Sequence, residues 1–158
     1  MSDLTERFVI QEYVSERVYE QYGDRAKRFI CNTLVNATTQ LCLDLEEKYG
    51  RPISCTINDW LWGGNFVASG LRRPGTPHYS ITSAHAWGKG DDKKFKFKDG
   101  DKETIPSKEV YDFIMENQKR YYDLGIRRIE DIRDTPSWIH WDTIWTNLPE
   151  GKIQVVRP

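Results

Sequence analysis

The chain has 158 residues, 23 basic and 24 acidic, with a net charge of −1, so nothing electrostatic points to nucleic acid or an anionic membrane as its main partner. At 38% hydrophobic and 30% charged, residues 1–158 read as one globular domain, long enough to bury roughly two-thirds of its unfolded surface. There is no apolar run of roughly 18 residues that would span a membrane. The opening MSDLTERFVIQEYVSERVYE lacks the apolar core of a secretory signal, so the expected location is a cytoplasm.

In chain order, a short helix is expected around residues 10–21 and a strong one over 24–48. In the latter, Ala26, Ile30, Leu34, Ala37, Leu41 and Leu45 recur at helical spacing, with Asp24 as N-cap and Gly50 and Pro52 as the stop. Cys31, Cys42 and Cys55 form no CxxC and are odd in number, which argues against a disulfide framework. Ile53, Cys55 and Ile57 alternate with polar residues as in a strand. Gly63-Gly64 ends it, and SGLRRPGTP follows as a loop. In FKFKDGDKET, Lys94, Lys96 and Lys98 alternate with Phe95 and Phe97 before an Asp99-Gly100 turn. That pattern fits a lysine-lined edge hairpin, with a basic groove as the alternative. A helix capped by Ser107 runs to Gly125, buried through Val110, Phe113, Ile114, Tyr121 and Leu124. Two strands, IRRIEDI and SWIHWDTIW, flank a turn at residues 133–136, and KIQVV is a last strand. Helices lead and strands close the chain without βαβ alternation, so the fold class is α+β with a small, mostly antiparallel sheet packed on helices. Five of the six tryptophans, Trp60, Trp62, Trp138, Trp141 and Trp145, lie near the segments discussed next. Rings of that size are core first and a substrate-facing wall second.

The chemistry concentrates in SAHAWGKGDD and SWIHWD. If residues 88–92 are extended, Gly88, Gly90 and Asp92 share one face of the sheet, and the glycines leave open space beside the carboxylate. On the later strand Trp138, His140 and Asp142 share a face. Two imidazoles and a carboxylate, His85, Asp92 and His140, form a three-ligand zinc set with a fourth position open. The bland alternative is a loop histidine and a hydrogen-bonded core histidine.

These segments resemble the zinc D-Ala-D-Ala carboxypeptidases and L-alanyl-D-glutamate peptidases of peptidoglycan, which share their fold with the hedgehog domain. The family motif S-x-H-x-x-G-x-A-x-D reads here as Ser83 to Asp92, with Gly90 in place of Ala. A hydrophobic-x-His segment reads as Trp138-Ile139-His140, and S-G-[YF]-R as Ser69-Gly70-Leu71-Arg72. The resemblance covers about residues 25–145 and looks closest to bacteriophage-encoded members. It implies a hedgehog/DD-peptidase fold, Zn2+ on His85, Asp92 and His140, oxyanion stabilisation by Arg72, and Ser83 bonding near metal or substrate. The family's proton-transferring acid falls at Ser137, which cannot do that work, so Asp134, Glu130 and Asp142 are the substitutes. The implied function is a peptidase acting on cell-wall stem peptides with zinc-activated water. The alternative is a catalytically impaired zinc module bound to virion proteins, and the remaining option is a metal-free adaptor.

Overall fold

The computed structural model describes residues 4–157. Its α-helices are α1 (Glu16–Tyr22), α2 (Asn32–Tyr49), α3 (Ser107–Glu116) and α4 (Gln118–Asp123). Its strands are β1 (Ile53–Thr56), β2 (Gly90–Phe97), β3 (Thr104–Ile105), β4 (Arg128–Glu130), β5 (Ile139–Asp142) and β6 (Gln154–Val156). The strands form one sheet in the order β1-β2-β5-β4-β6, with β3 also on β2. Every pairing is antiparallel except β4 with β6. The expected α+β class with a mostly antiparallel sheet is what the chain adopts.

Helices cover one face of the sheet. Thr38 of α2 donates to Asp91 Oδ2 at 3.0 Å and accepts from Trp141 Nε1 at 3.2 Å. Tyr121 of α4 packs its ring 5.5 Å from Trp141, and Tyr49 packs its ring 5.4 Å from Phe97. Because side chains alternate along a strand, Asp91, Lys93, Phe95 and Phe97 of β2 point into this layer and are buried. Asp92, Lys94 and Lys96 point to the opposite face, which is crossed by the segment between β1 and β2. Asn58 pins that segment, accepting from Ser69 N–H and donating to Val14 O. Two further backbone bonds, Leu71 N–H to Tyr13 O and Asp92 N–H to Ser69 O, hold it down.

Several expectations change. The periodic run over 24–48 is not one helix: residues Gly23–Phe29 form a 3-10 turn and Ile30 is extended at φ −107, ψ 133. The helix restarts there because the Cys31 N–H goes to Gly88 O at 2.9 Å. Asp24 therefore caps nothing in α2, whose N-cap is Cys31 without a side-chain bond. The stripe still reads correctly, since Ala26, Ile30, Leu34, Ala37, Leu41 and Leu45 are all buried. Pro106 rather than Ser107 occupies the N-cap of α3. The helix breaks at Asn117, whose side chain donates to Phe113 O at 2.8 Å. The 10–21 stretch splits into a 3-10 turn and α1, capped by Ser15. The hairpin at residues 90–105 forms, but β2 is an interior strand with β1 on one side and β3 and β5 on the other. Its exposed lysines line the open face rather than an edge. Among the tryptophans, only Trp141 is a fully buried core ring, whereas Trp62, Trp87 and Trp145 are 65%, 58% and 71% exposed. Among the described residues, no helix is long and apolar enough to cross a membrane.

Candidate metal centre

Three elements bring His85, Asp92 and His140 together on the open face. Asp92 and His140 are opposed in the β2–β5 ladder. His85 arrives from the 3-10 turn Ala84–Trp87, where Ser83 as N-cap accepts the His85 N–H at 3.3 Å. Three atoms converge: His140 Nδ1 lies 2.7 Å from Asp92 Oδ1 and 3.1 Å from His85 Nε2, and His85 Nε2 lies 3.3 Å from Asp92 Oδ1. All three residues are buried, at 2%, 6% and 5% exposure in chain order.

The donor set fits a divalent cation. Tetrahedral bonds of about 2.0–2.2 Å would set ligand atoms about 3.3–3.6 Å apart, so one edge of the triangle matches that spacing and the other two, at 3.1 and 2.7 Å, would open on binding. Each ligand is also held from behind, as metal ligands are. His85 Nδ1 donates to Gly70 O at 2.8 Å, which leaves the Nε2 lone pair facing the centre. The second Asp92 oxygen accepts from Arg72 Nη2 at 2.8 Å. His140 Nε2 faces Asp142 Oδ2 at 3.5 Å, and Asp142 is itself gripped by the Arg128 guanidinium through contacts of 2.7–3.0 Å. The structure thus holds a triad able to take a metal ion.

Charge follows the same wiring. Burial disfavours the His140 cation, but bonds to Asp142 and Asp92 outweigh it and raise the imidazole to about 9. Burial pushes the Asp92 carboxyl up, and the bonds from His140 and His85 overcome this and hold it well below the usual carboxylate range. Asp142 is likewise depressed, burial being outweighed by His140 and Arg128.

The two glycines differ. Gly90 faces the site: a Cβ there would lie 2.8 Å from Ala84 Cβ and 3.2 Å from His140 Cε1, so its missing side chain is the space the imidazole occupies. Gly88 is not in the extended run and leaves no clearance at the centre. It is left-handed at φ 63, ends the 3-10 turn, and abuts Phe29, whose carbonyl oxygen would lie 1.9 Å from a Cβ. The strand begins only at Gly90 because Gly88 is the turn that delivers it.

The triad opens on a cavity of about 890 Å³ whose lining includes Arg72, Ser83, Glu130, Asp134 and Trp138. Arg72 is committed on two sides, to Asp92 and, through Nε, to Ala68 O at 2.6 Å. Its Nη1 has no hydrogen-bond partner among the described residues. Asp134 sits in the turn before β5, exposed, 3.3 Å from Arg157 Nε. Ser137 is exposed. Glu130 is half-buried, lines the cavity and has no hydrogen bond or ion pair among the described residues. The β4–β5 register, with Ile129 opposite Trp141, carries Glu130 to the strand position beside His140. The sequence reading missed Arg128 and the Gly70 carbonyl. The alternation Arg128-Ile129-Glu130 was the available signal, since it puts both charged residues on the face opposite buried Ile129. Neither protein-family models, nor curated proteins, nor solved structures match the chain.

Proposed function

We propose that the protein is a zinc peptidase of the hedgehog/DD-peptidase type that hydrolyses a peptide bond in bacterial cell-wall stem peptides. The observation that carries the reading is the triad itself: two imidazoles and a carboxylate, each fixed from behind and opening on a cavity of about 890 Å³. Its order along the chain, Ser83 to Asp92 and then His140, repeats the motifs on which the family resemblance rests. His85, Asp92 and His140 are the residues that would hold Zn2+, which supplies Lewis-acid polarisation and a water of lowered pKa.

The remaining work belongs to the chain. Arg72 orients Asp92 and keeps its Nη1 N–H groups for the carbonyl oxygen as that oxygen becomes negative. Glu130, beside His140 and unpaired, takes the proton from the attacking water and returns it to the leaving amine. Asp134 is the weaker candidate because its carboxylate already faces Arg157 at the cavity rim. Ser83 fixes the turn that carries His85 and leaves its second lone pair for substrate.

A second reading, a zinc-holding but catalytically silent module bound to virion proteins, is favoured by Ser137 standing at the family's acid position. Two measurements separate them. Metal analysis of the purified protein, with His85→Ala and His140→Ala as controls, should find one zinc in the parent alone; a zinc-free parent refutes both readings. Release of soluble fragments from purified cell walls should follow, lost in Glu130→Gln by about 100-fold or more and retained in Asp134→Asn. Bound zinc with no release leaves the silent module.

A further inference from the structure

A second cavity on the same sheet face, separate from the metal centre, has the features of a ligand site. Its volume is about 330 Å³, and Glu12, Ser54, Thr56, Asp59, Trp62 and Lys96 line it. That is the size of a small-molecule pocket. The loop from Asp59 to Phe66 separates the two cavities, since Gly64 lines this one and Phe66 lines the other.

The loop is built to hold its shape. Asp59 is the pivot: its carbonyl accepts Trp62 N–H and Gly64 N–H, its N–H donates to Phe66 O, and its Oδ1 accepts Phe66 N–H at 2.8 Å. A Cβ at Gly64 would lie 2.1 Å from Asp59 Cγ, so only glycine permits the turn. Trp60 anchors the base, donating from Nε1 to Val14 O at 2.8 Å. Trp62 is thus presented on a fixed turn, 65% exposed, rather than left over on a loose one. Large exposed aromatics held this way are characteristic of binding surfaces.

The floor is polar and unoccupied by intramolecular bonds. Ser54 and Thr56 project from β1, and Lys96 from β2 opposite Ser54. None of the three side chains has a hydrogen-bond or charge partner among the described residues. Glu12 is only 7% exposed. Its Oε2 accepts Val9 N–H at 2.9 Å, while Oε1 has no partner among the described residues. Burial lifts this carboxyl to about 7, against the pull of the Val9 N–H, so near neutrality it both donates and accepts.

We propose that this cavity binds the neutral, hydroxyl-rich ring of a saccharide, stacked on Trp62 and hydrogen-bonded by Ser54, Thr56, Glu12 and Lys96. The chemistry selects that class. A pyranose offers an apolar C–H face to an indole and hydroxyls around its edge, which matches one aromatic wall over a polar floor. An anion would face the Asp59 carboxylate and the part-ionised Glu12 carboxyl against one ammonium, and a cation would meet Lys96. A purely apolar ligand would leave four polar side chains without partners. The inference does not depend on the metal centre or on its proposed activity.

The test follows the Trp62 indole N–H and the Thr56 and Lys96 amides by NMR in the full chain as purified. The titrants are triacetylchitotriose, maltotriose and adenosine, the last a flat stacking ligand without the ring chemistry. Saturable shifts confined to these residues are expected with one or both sugars, at dissociation constants near about 1 mM. The Trp62→Ala and Thr56→Val variants should weaken the amide response, the former by roughly tenfold or more. Trp145→Ala, which removes an equally exposed ring elsewhere, should leave it unchanged. Absence of saturable shifts with both sugars overturns the proposal. So does equal binding of adenosine, or equal loss in Trp145→Ala. Both Trp62→Ala and Trp145→Ala alter exposed side chains, so an unchanged circular dichroism spectrum and thermal midpoint certify the fold.

Discussion

Free of any bound metal, this protein should lose stability as the solution becomes alkaline, and His140 is the reason. In the unfolded chain its imidazole titrates at the ordinary 6.5, whereas in the fold it is raised to about 9, since bonds to Asp142 and Asp92 outweigh burial. A raised folded value means that the fold binds the proton more tightly than the unfolded chain does. The stabilisation is therefore complete below pH 6.5 and is lost as pH climbs from there through about 9. At 1.36 kcal/mol for each unit, the difference amounts to about 3 kcal/mol. That is a large share of a total that runs from about 5 to 15 kcal/mol. The opposite holds for metal uptake, because ion and proton compete for His140 Nδ1. Apparent zinc affinity should rise by about tenfold per pH unit across the same window. Asp92 and Asp142, both depressed, act on the acid side: their contributions are present above the ordinary carboxylate range and vanish as pH falls below it.

Denaturant unfolding in EDTA, followed by tryptophan fluorescence at about pH 6 and about pH 9.5, measures the first effect, and competition with a chromophoric chelator measures the second. His140→Asn, which keeps the shape and cannot titrate, should flatten both profiles. A metal-free protein equally stable at the two pH values would show that the imidazole is not held protonated by its two carboxylates, and would refute the reasoning.

Three further outcomes follow from the geometry. Glu12→Gln should remove a separate stability loss between pH 4.5 and about 7, the window in which its raised carboxyl gives up its proton, seen as a flat urea midpoint in acid. Gly90→Ala should lower zinc affinity by about 10–100-fold and destabilise the fold by about 1–3 kcal/mol, because the added methyl meets Ala84 and the His140 ring; unchanged zinc competition would contradict this. Lys93→Met should cost about 3–5 kcal/mol by leaving Asp91 buried without its cation, while Asp91→Asn with Lys93→Met together should cost much less, as a urea-unfolding cycle would show.

The parts legible in the sequence are those governed by a local period. The stripe from Ala26 to Leu45 depends only on 3.6-residue spacing, and the phase of Asp92 and of His140 with Asp142 only on alternation. What escaped was set by contacts between distant segments. The helix break at Ile30 exists because Cys31 bonds to Gly88, and no window around residue 30 contains that partner. Gly88 looked like space beside an ion because alternation was extended two residues too far; its left-handed turn has no period to betray it. Asp134 sits next to a proline in a sequence-local turn, but its pairing with Arg157 comes from the tail. The exposure of Trp62 was hidden for the same reason, since Asp59 fixes it through bonds to a loop with no repeat.

The strand that serves both cavities also explains why two adjacent aspartates are not interchangeable. Asp92 faces the open side with His140, whereas Asp91 lies on the helix side, fully buried against Lys93 and bonded to Thr38. Lys93 in turn lies 4.2 Å over the Trp141 ring. A slip of one residue in the β2–β5 pairing would exchange every side chain between the faces. It would carry Asp92, Lys94 and Lys96 under the helices, turn Phe95 and Phe97 out of the core, and strip Asp91 of Thr38. A buried ion pair of this kind adds little net stability, since desolvation offsets most of its attraction. What makes the wrong register costly is the exchange of buried Phe95 and Phe97 for Lys94 and Lys96, and this commits the second aspartate of the pair, with its two imidazoles, to the open face.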